Sequence, residues 1–519
     1  MDDYEINDVG SVGLVQDLPA HTIVPEAFDK LENMRCFDGK LAKLRGQTTV
    51  FTAPDQIPLF IQQLVDPSQV WWLYASMDKI WVWDGSAYFD ISRAAGYTAT
   101  EASQWDGTVL GGIPIFNNGT DVPQFWASYS TGALFDDLTA WDVSWRAKAV
   151  KAYGPYLVAM NVTKGGTAHP HMVKWSHPAD PGALPISWDE TDPTKDAGEY
   201  ELPDSRAGLL LNGGALRGQM FLYKENAVWR MQSIGGLLVF SFSSFIDSNG
   251  MIAPKAFAQS PDGMRHVVLM QDDLVIHDGQ AVRSLLTNRV RRALFNRLDR
   301  AQASKCFLFT NSEYREVWVC YPEVGADAPN RALIWNQEND ALTEASINFT
   351  CAESGYVEGT ELGVWDDYPV TSWDDFDGVW NTKTARKVVV GNTTPRFLQL
   401  DTGGLRNAIK YNAIARRTNL AIMGKRRDGS PIQDYKRLKM YRRVWLKASG
   451  DPFFVRVGVQ EEIDGTVRWT RKKLFSPATD QFVDVLKSGR ALAIEFSSRD
   501  SGLWEVHGYK PEVVPLGFF

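Results

Sequence analysis

Six times between residues 70 and 318, a run of aromatic and β-branched residues is followed, after a turn, by a second such run. The pairs occupy 70–83, 108–116, 156–175, 219–229, 266–277 and 306–318. The first is the plainest: VWWLYA, a polar turn at Ser76, Asp78 and Lys79, then IWVW and a break at Asp84-Gly85, the pattern of an antiparallel hairpin. Measured at the last residue of each second strand, Trp83 to Trp175 is 92 residues, or two steps of 46, and the steps to Trp229, His277 and Trp318 are 54, 48 and 41. Repeats of about forty to fifty residues, each a small antiparallel sheet, mark β-propellers. Asn118-Gly119, Gly165-Gly166, Gly213-Gly214, Asp262-Gly263 and Asp278-Gly279 put turns where blades need them. The spacing therefore predicts an all-β fold, a propeller of five to seven blades over 47–404.

Nineteen tryptophans in 519 residues are consistent with many short strands, and their parity restricts their use. Trp81 and Trp83 share one face of their strand, while Trp71 and Trp72 point to opposite faces, so the four rings do not line one groove. One set is expected in the blade's core and the other against a neighbouring blade or subunit.

The repeat has flanks and one interruption. Residues 1–46 read as an irregular N-terminal arm with a short amphipathic segment at 26–34, a surface-hugging extension or a segment docked on a neighbouring subunit. A Pro-, Asp- and Gly-rich insertion at 176–208 reads as a long loop, with Trp175 and Trp188 as candidate partner contacts. Val290, Leu294 and Leu298 recur every four residues and predict one short helix within 285–301. Beyond Lys439 six short strand-like runs, among them FFVRVGVQ and RALAIEFSS, predict a β-sandwich-like region within 405–519 or a closing sheet of the propeller.

Charge is unevenly placed. The whole chain carries −9, yet Leu405 to Trp445 holds twelve Lys or Arg against Asp428 and Asp434, a local +10 that leaves −19 for the rest. The balance argues against a general nucleic-acid binder, whose phosphate contacts need a broadly basic surface. The local cluster, with Arg416, Arg417, Lys425, Arg426, Arg427, Lys436, Arg437, Arg442 and Arg443, is a candidate face for a neighbouring subunit or for DNA phosphate.

Residues that carry chemistry do not form a catalytic set. Cys36, Cys306, Cys320 and Cys351 lack metal-ligand spacing and read as buried thiols. His169, His171 and His177 fall within nine residues, but a proline-broken loop gives no fixed geometry and no carboxylate ligand accompanies them, so no metal or cofactor is expected. Gly-x-Ser-x-Gly, P-loop and HExxH motifs are missing. The acidic aromatic run Trp365 to Trp380, with Trp373, Asp366, Asp367, Asp374, Asp375 and Asp377, could serve a glycan-binding or glycan-cleaving propeller. Adjacent carboxylates of one loop do not bracket a glycosidic bond, so it reads as a contact loop carrying Trp365 and Trp373, and the chain as no enzyme. No window is apolar for eighteen residues and the N-terminus is acidic, so synthesis in the cytoplasm without membrane insertion is expected.

Several stretches resemble one family, the tail nozzle proteins of short-tailed bacteriophages, which includes packaged-DNA stabilisation proteins and tail tubular proteins of the B type. They are VQDLPAHTIVPEAFDKLENMRCFDG (15–39), LGGIPIFNNGTDVPQFW (110–126), VKWSHPADPGALPISWDETDPTKDAG (173–198), MFLYKENAVWRM (220–231), LVIHDGQ (274–280) and EVWVCYPE (316–323). SGRALAIEFSS and WEVHGYKPEVVPLG extend the likeness to the end, while 324–440 resemble the family least. The resemblance implies a virion protein of the tail: a homohexameric ring below the adaptor and portal that retains packaged DNA, touches tail fibres and a tail tip or plug protein, and meets double-stranded DNA transiently at ejection.

Overall fold

The computed structural model describes residues 4–517, apart from 67–68, 99–104, 204–207, 237, 358–385 and 429. Its repeats are four-stranded antiparallel sheets, and each is wound as a simple meander in which neighbours in sequence are neighbours in space. Blade 1 consists of Phe60–Val65, Val70–Ala75, Ile80–Trp83 and Tyr88–Asp90. Blades 2 to 6 follow at 106–137, 146–201, 210–246, 257–284 and 307–346. Blade 7 takes Phe349–Gly355, Lys387–Asn392 and Phe397–Leu400 from one end of the repeat and its outer strand, Gln47–Thr49, from the other. The first strand of blade 7 lies against that of blade 1, so the ring closes at seven blades. Closure by a strand that precedes blade 1 leaves no free blade edge at the seam.

The aromatic excess fills the seams between blades. Trp71 meets Trp126 of blade 2 edge-on at 5.8 Å. On the opposite face, Trp72 and Trp83 surround Phe51, which packs against Phe397 of blade 7 at 5.6 Å. Strand alternation thus gives each blade two apolar faces, one for each neighbour. The predicted helix is present at Arg291–Arg297, with Val290, Leu294 and Leu298 all buried.

The N-terminal arm is not a surface extension. Ile6–Asn7 pairs with Trp504–Gly517, and Gly13–Leu14 pairs with Ala27–Phe28 and reaches Leu342 in the outer strand of blade 6. Lys30–Glu32 then joins that strand to Ala413–Leu420, making blade 6 continuous with a sheet that runs on through Ala491–Ser498 and Phe453–Gln460. The facing sheet is ordered Phe482–Gly489, Leu438–Gly450, Trp504–Gly517, Lys40–Lys43 and Met34–Phe37. Ile6, Leu14, Leu31 and Met34 are buried with both layers. The segment at 26–34 holds two short strands rather than one amphipathic element, because Ala27–Phe28 pairs with Gly13–Leu14 and Lys30–Glu32 pairs with chain more than three hundred residues away.

A buried ion cluster fastens this junction. Arg35 donates from Nε to Glu316 at 2.7 Å and from Nη1 to Asp401 at 2.7 Å, with Tyr314 beneath the guanidinium at 3.6 Å. Burial disfavours the Arg35 charge, but the two carboxylates outweigh it and raise the guanidinium above its usual range.

Candidate functional site

The cations of the basic stretch occupy three environments. Arg416 pairs with buried Glu495 at 2.7 Å, beside Arg456 on the same carboxylate. Arg417 is 1% exposed, and its guanidinium donates to the carbonyls of Ala20, Ile23 and Thr418, so it holds the arm instead of facing a partner. Arg437 faces Asp434 at 3.4 Å, Arg442 faces Glu512 at 3.9 Å and Arg443 bonds Asp484 at 3.0 Å, so these surface charges are answered within the chain. Lys436 is exposed beside them.

The third environment is a two-stranded ribbon, Ile422–Lys425 with Pro431–Gln433, that pairs with no other strand among the described residues. Ile422, Met423 and Gly424 are buried at its base, while Lys425, Arg426 and Arg427 are exposed at its tip. No carboxylate among the described residues lies within ion-pair distance of these three. Nearby Asp428 takes its hydrogen bond from Ser430 at 2.7 Å. The candidate face is therefore reduced from nine cations to a tip of three, and Lys436 is exposed past the ribbon's base.

Neither tryptophan of the insertion is available to a partner. Trp175 is 8% exposed, donates to the Asp196 carbonyl at 2.8 Å and meets Phe240 of blade 4 edge-on. Trp188 is 1% exposed and stands perpendicular to Trp141 at 4.7 Å. The loop returns onto its own blade through a quartet in which Lys164 bonds Glu190 at 2.8 Å and buried Lys174 bonds Glu199 at 3.1 Å. Burial pushes the Glu190 carboxyl up, but hydrogen bonds from Lys164 and Lys174 overcome it and hold the group at about 2. Trp365, Trp373 and the neighbouring aspartates lie outside the described residues.

The propeller axis is crossed by polar side chains. Lys151 of blade 3 bonds Asp106 of blade 2 at 2.6 Å, and the other oxygen of Asp106 accepts from Asn212 of blade 4 at 3.1 Å. From the far side, Lys255, ahead of blade 5, reaches the Leu59 carbonyl ahead of blade 1 at 3.0 Å. Burial raises Glu353 of blade 7 to about 7, against the opposing pull of Arg386 and Lys151. A DNA duplex, whose major groove alone is about 12 Å wide, does not pass through an axis laced in this way.

Among the described residues no three His, Cys, Asp or Glu side chains converge as metal ligands. His169 and His171 stand on the strand Thr167–Trp175 and not in a loop, since Pro170 is accommodated within it; His169 lies 3.9 Å from Glu201, and His177, beyond the strand, accepts from the Asp196 amide. No described helix is long and apolar enough to cross a membrane.

Sequence reading missed two arginines that the fold makes conspicuous, Arg35 and Arg406. Arg406 lines a cleft of about 440 Å³ between blade 6, blade 7 and the connection to the C-terminal region. Neither residue stands in a recognisable motif, and their contacts come from distant chain.

No family model matches this sequence, and no curated protein does. Among solved structures, the chain is similar to BBS1N in its complex with ARL6DN, at 10% identity over 70% of this chain and 100% of that one, with a TM-score of 0.37. It is similar at 10% identity to the dihydro-heme d1 dehydrogenase NirN in complex with DHE, over 75% of this chain and 78% of that one, with a TM-score of 0.36. A third is the exo-β-1,3-galactanase from Phanerochaete chrysosporium with galactose, 10% identical over 90% of this chain and 100% of that one, with a TM-score of 0.26. Likenesses this faint carry nothing about ligands or partners. The propeller assignment stands on the seven meandering sheets and their closure.

Proposed function

We propose that this chain is the subunit of a bacteriophage tail nozzle, a structural ring that continues the tail channel below the adaptor and portal. Six copies enclose the channel, retain packaged DNA with the other tail components, and release it at ejection. The ordered series of sequence likenesses from 15 to 323 supports the family, and the closed propeller axis supports a channel formed between subunits rather than through one.

The single observation that carries the electrostatic part is the basic ribbon tip. Lys425, Arg426 and Arg427 are exposed with no carboxylate of the described residues within ion-pair distance, on a chain whose total charge is −9. An acidic wall keeps a polyanion from adhering along its length, while a few cations per subunit give weak, salt-sensitive contacts to phosphate. Adaptor, tail fibres and a tail tip or plug protein are the remaining partners of this reading, and it assigns no reaction to the chain.

The test is a triple charge reversal, Lys425→Glu with Arg426→Glu and Arg427→Glu. Binding of duplex DNA to the assembled protein should weaken at least tenfold at low salt, and the logarithmic salt dependence should flatten by roughly one unit per lost phosphate contact. Unchanged binding with an unchanged salt slope removes the ribbon from the DNA path.

A further inference from the structure

The cleft that holds Arg406 has no place in the nozzle reading. It lies where the loop between blades 6 and 7, the Asn392–Arg396 turn of blade 7 and the 401–411 connection meet. Arg406 is fixed within it by donation to Ser346 Oγ at 2.9 Å and to Asn33 Oδ1 at 2.7 Å, with the ring of Tyr411 4.4 Å from the guanidinium carbon. Its Nε is buried and has no hydrogen-bond partner. Burial pulls this guanidinium down to about 10 against the weaker opposing pull of Tyr411 and Glu32, and no carboxylate among the described residues lies within ion-pair distance of it.

Arg35 provides the comparison. It is more deeply placed, at 3% exposed against a half-buried Arg406, and two carboxylates answer its charge. A half-buried cation with no carboxylate in direct contact gains from an anion brought to it from outside. A second cation, Arg396, is exposed at the rim of the same cleft, also without a carboxylate partner among the described residues.

The remaining walls select what the anion is attached to. Gln47 is 5% exposed, lines the cleft, and its side-chain amide makes no hydrogen bond to the described residues. Asn348, Asn392, Asn407 and Thr394 add further neutral polar groups, and no acidic residue lines the space. Amides offer donors and acceptors together, as a hydroxyl does, whereas a site for a bare inorganic anion uses donors alone. Ile347 and Ile409 supply aliphatic surface suited to the C–H face of a ring. A volume of about 440 Å³ is in the range of small-ligand sites and far larger than phosphate or acetate needs.

We propose that this cleft binds an acidic sugar, a hexuronate-sized ligand whose carboxylate lies between Arg406 and Arg396 and whose hydroxyls are read by the surrounding amides. The site is non-catalytic: no carboxylate stands in it to act as acid or base on a glycosidic bond. It is independent of ring formation, since its walls come from one subunit.

The experiment is calorimetric titration of the full-length protein with sodium glucuronate, sodium galacturonate, glucose, acetate and inorganic phosphate. One hexuronate should bind saturably, with glucose, acetate and phosphate each at least tenfold weaker. Arg396→Ala, an exposed position, should weaken that binding at least tenfold with the melting temperature unchanged, and Arg406→Lys should weaken it in any variant preparation that keeps the native circular dichroism. Acetate or phosphate binding as tightly as the hexuronates would overturn the sugar assignment. Absence of saturable binding by either hexuronate, or full binding in Arg396→Ala, would overturn the site itself.

Discussion

At the residue scale, the buried polar groups between blades 4 and 5 have an acid-sensitive arrangement. Tyr223 Oη lies 2.7 Å from His266 Nδ1 and 2.9 Å from His277 Nε2, and His266 also bonds the Ala215 backbone. One assignment satisfies all three: His266 carries its proton on Nε2 toward Ala215, Tyr223 donates to His266 Nδ1, and His277 Nε2–H donates to the phenol oxygen. Burial takes His266 to about 4, and burial followed by the neighbouring His266 takes His277 to about 3. In the unfolded chain both titrate near the ordinary value of about 6.5. The unfolded state therefore binds more protons below that value, so the stability these histidines contribute is complete above pH of about 6.5 and is lost as pH falls toward 4 and 3. Urea unfolding at pH 7.5, 5.5 and 4.5 should show the midpoint falling at each step. Tyr223→Phe, which strands both imidazoles, should cost about 1–3 kcal/mol at neutral pH.

At the element scale, the 176–208 insertion behaves as a folded part of blade 3. Trp188 anchors it against Trp141, and the two lysines and two glutamates close it from the other side. Trp188→Ala should cost about 3–5 kcal/mol, the usual range for emptying a buried aromatic site, and chemical denaturation of the variant measures it. An essentially unchanged midpoint would return the loop to the surface role read from its composition. The element scale also shows what the sequence exposed. Each hairpin from Val70–Ala75 onward declared itself because its alternation repeats an apolar face toward both neighbouring blades. The blade count stayed open because blade 7 is assembled from both ends of the repeat, and Gln47–Thr49 has too few residues to show a period. The arm's strands are illegible in sequence for the same reason, since strands of two to four residues such as Lys30–Glu32 take their identity from their partners. Of the nine cations singled out, Arg416 and Arg417 were indistinguishable in sequence from Lys425, Arg426 and Arg427. Only the fold supplies Glu495 to the first and the arm's carbonyls to the second.

At the scale of the whole molecule, the chain's two ends are worked into one body. The arm pairs with both layers of the C-terminal sandwich, blade 6 continues into that sandwich, and Gln47–Thr49 seals the propeller, so the arm, propeller and sandwich share a hydrophobic core. A subunit built this way suits a mechanical role, because few seams exist at which domains can separate under load. Its axis is crossed by Asp106, Lys151, Asn212 and Lys255, so under the proposed nozzle function a channel wide enough for DNA has to come from assembly.

The decisive measurement is the assembly state of the purified full-length chain, by native mass spectrometry with particle imaging, alone and with adaptor rings added. A tail nozzle subunit should give closed sixfold rings with an open centre, on its own or on the adaptor. A chain that remains monomeric at micromolar concentration and forms no ring on added adaptor would contradict the proposed function.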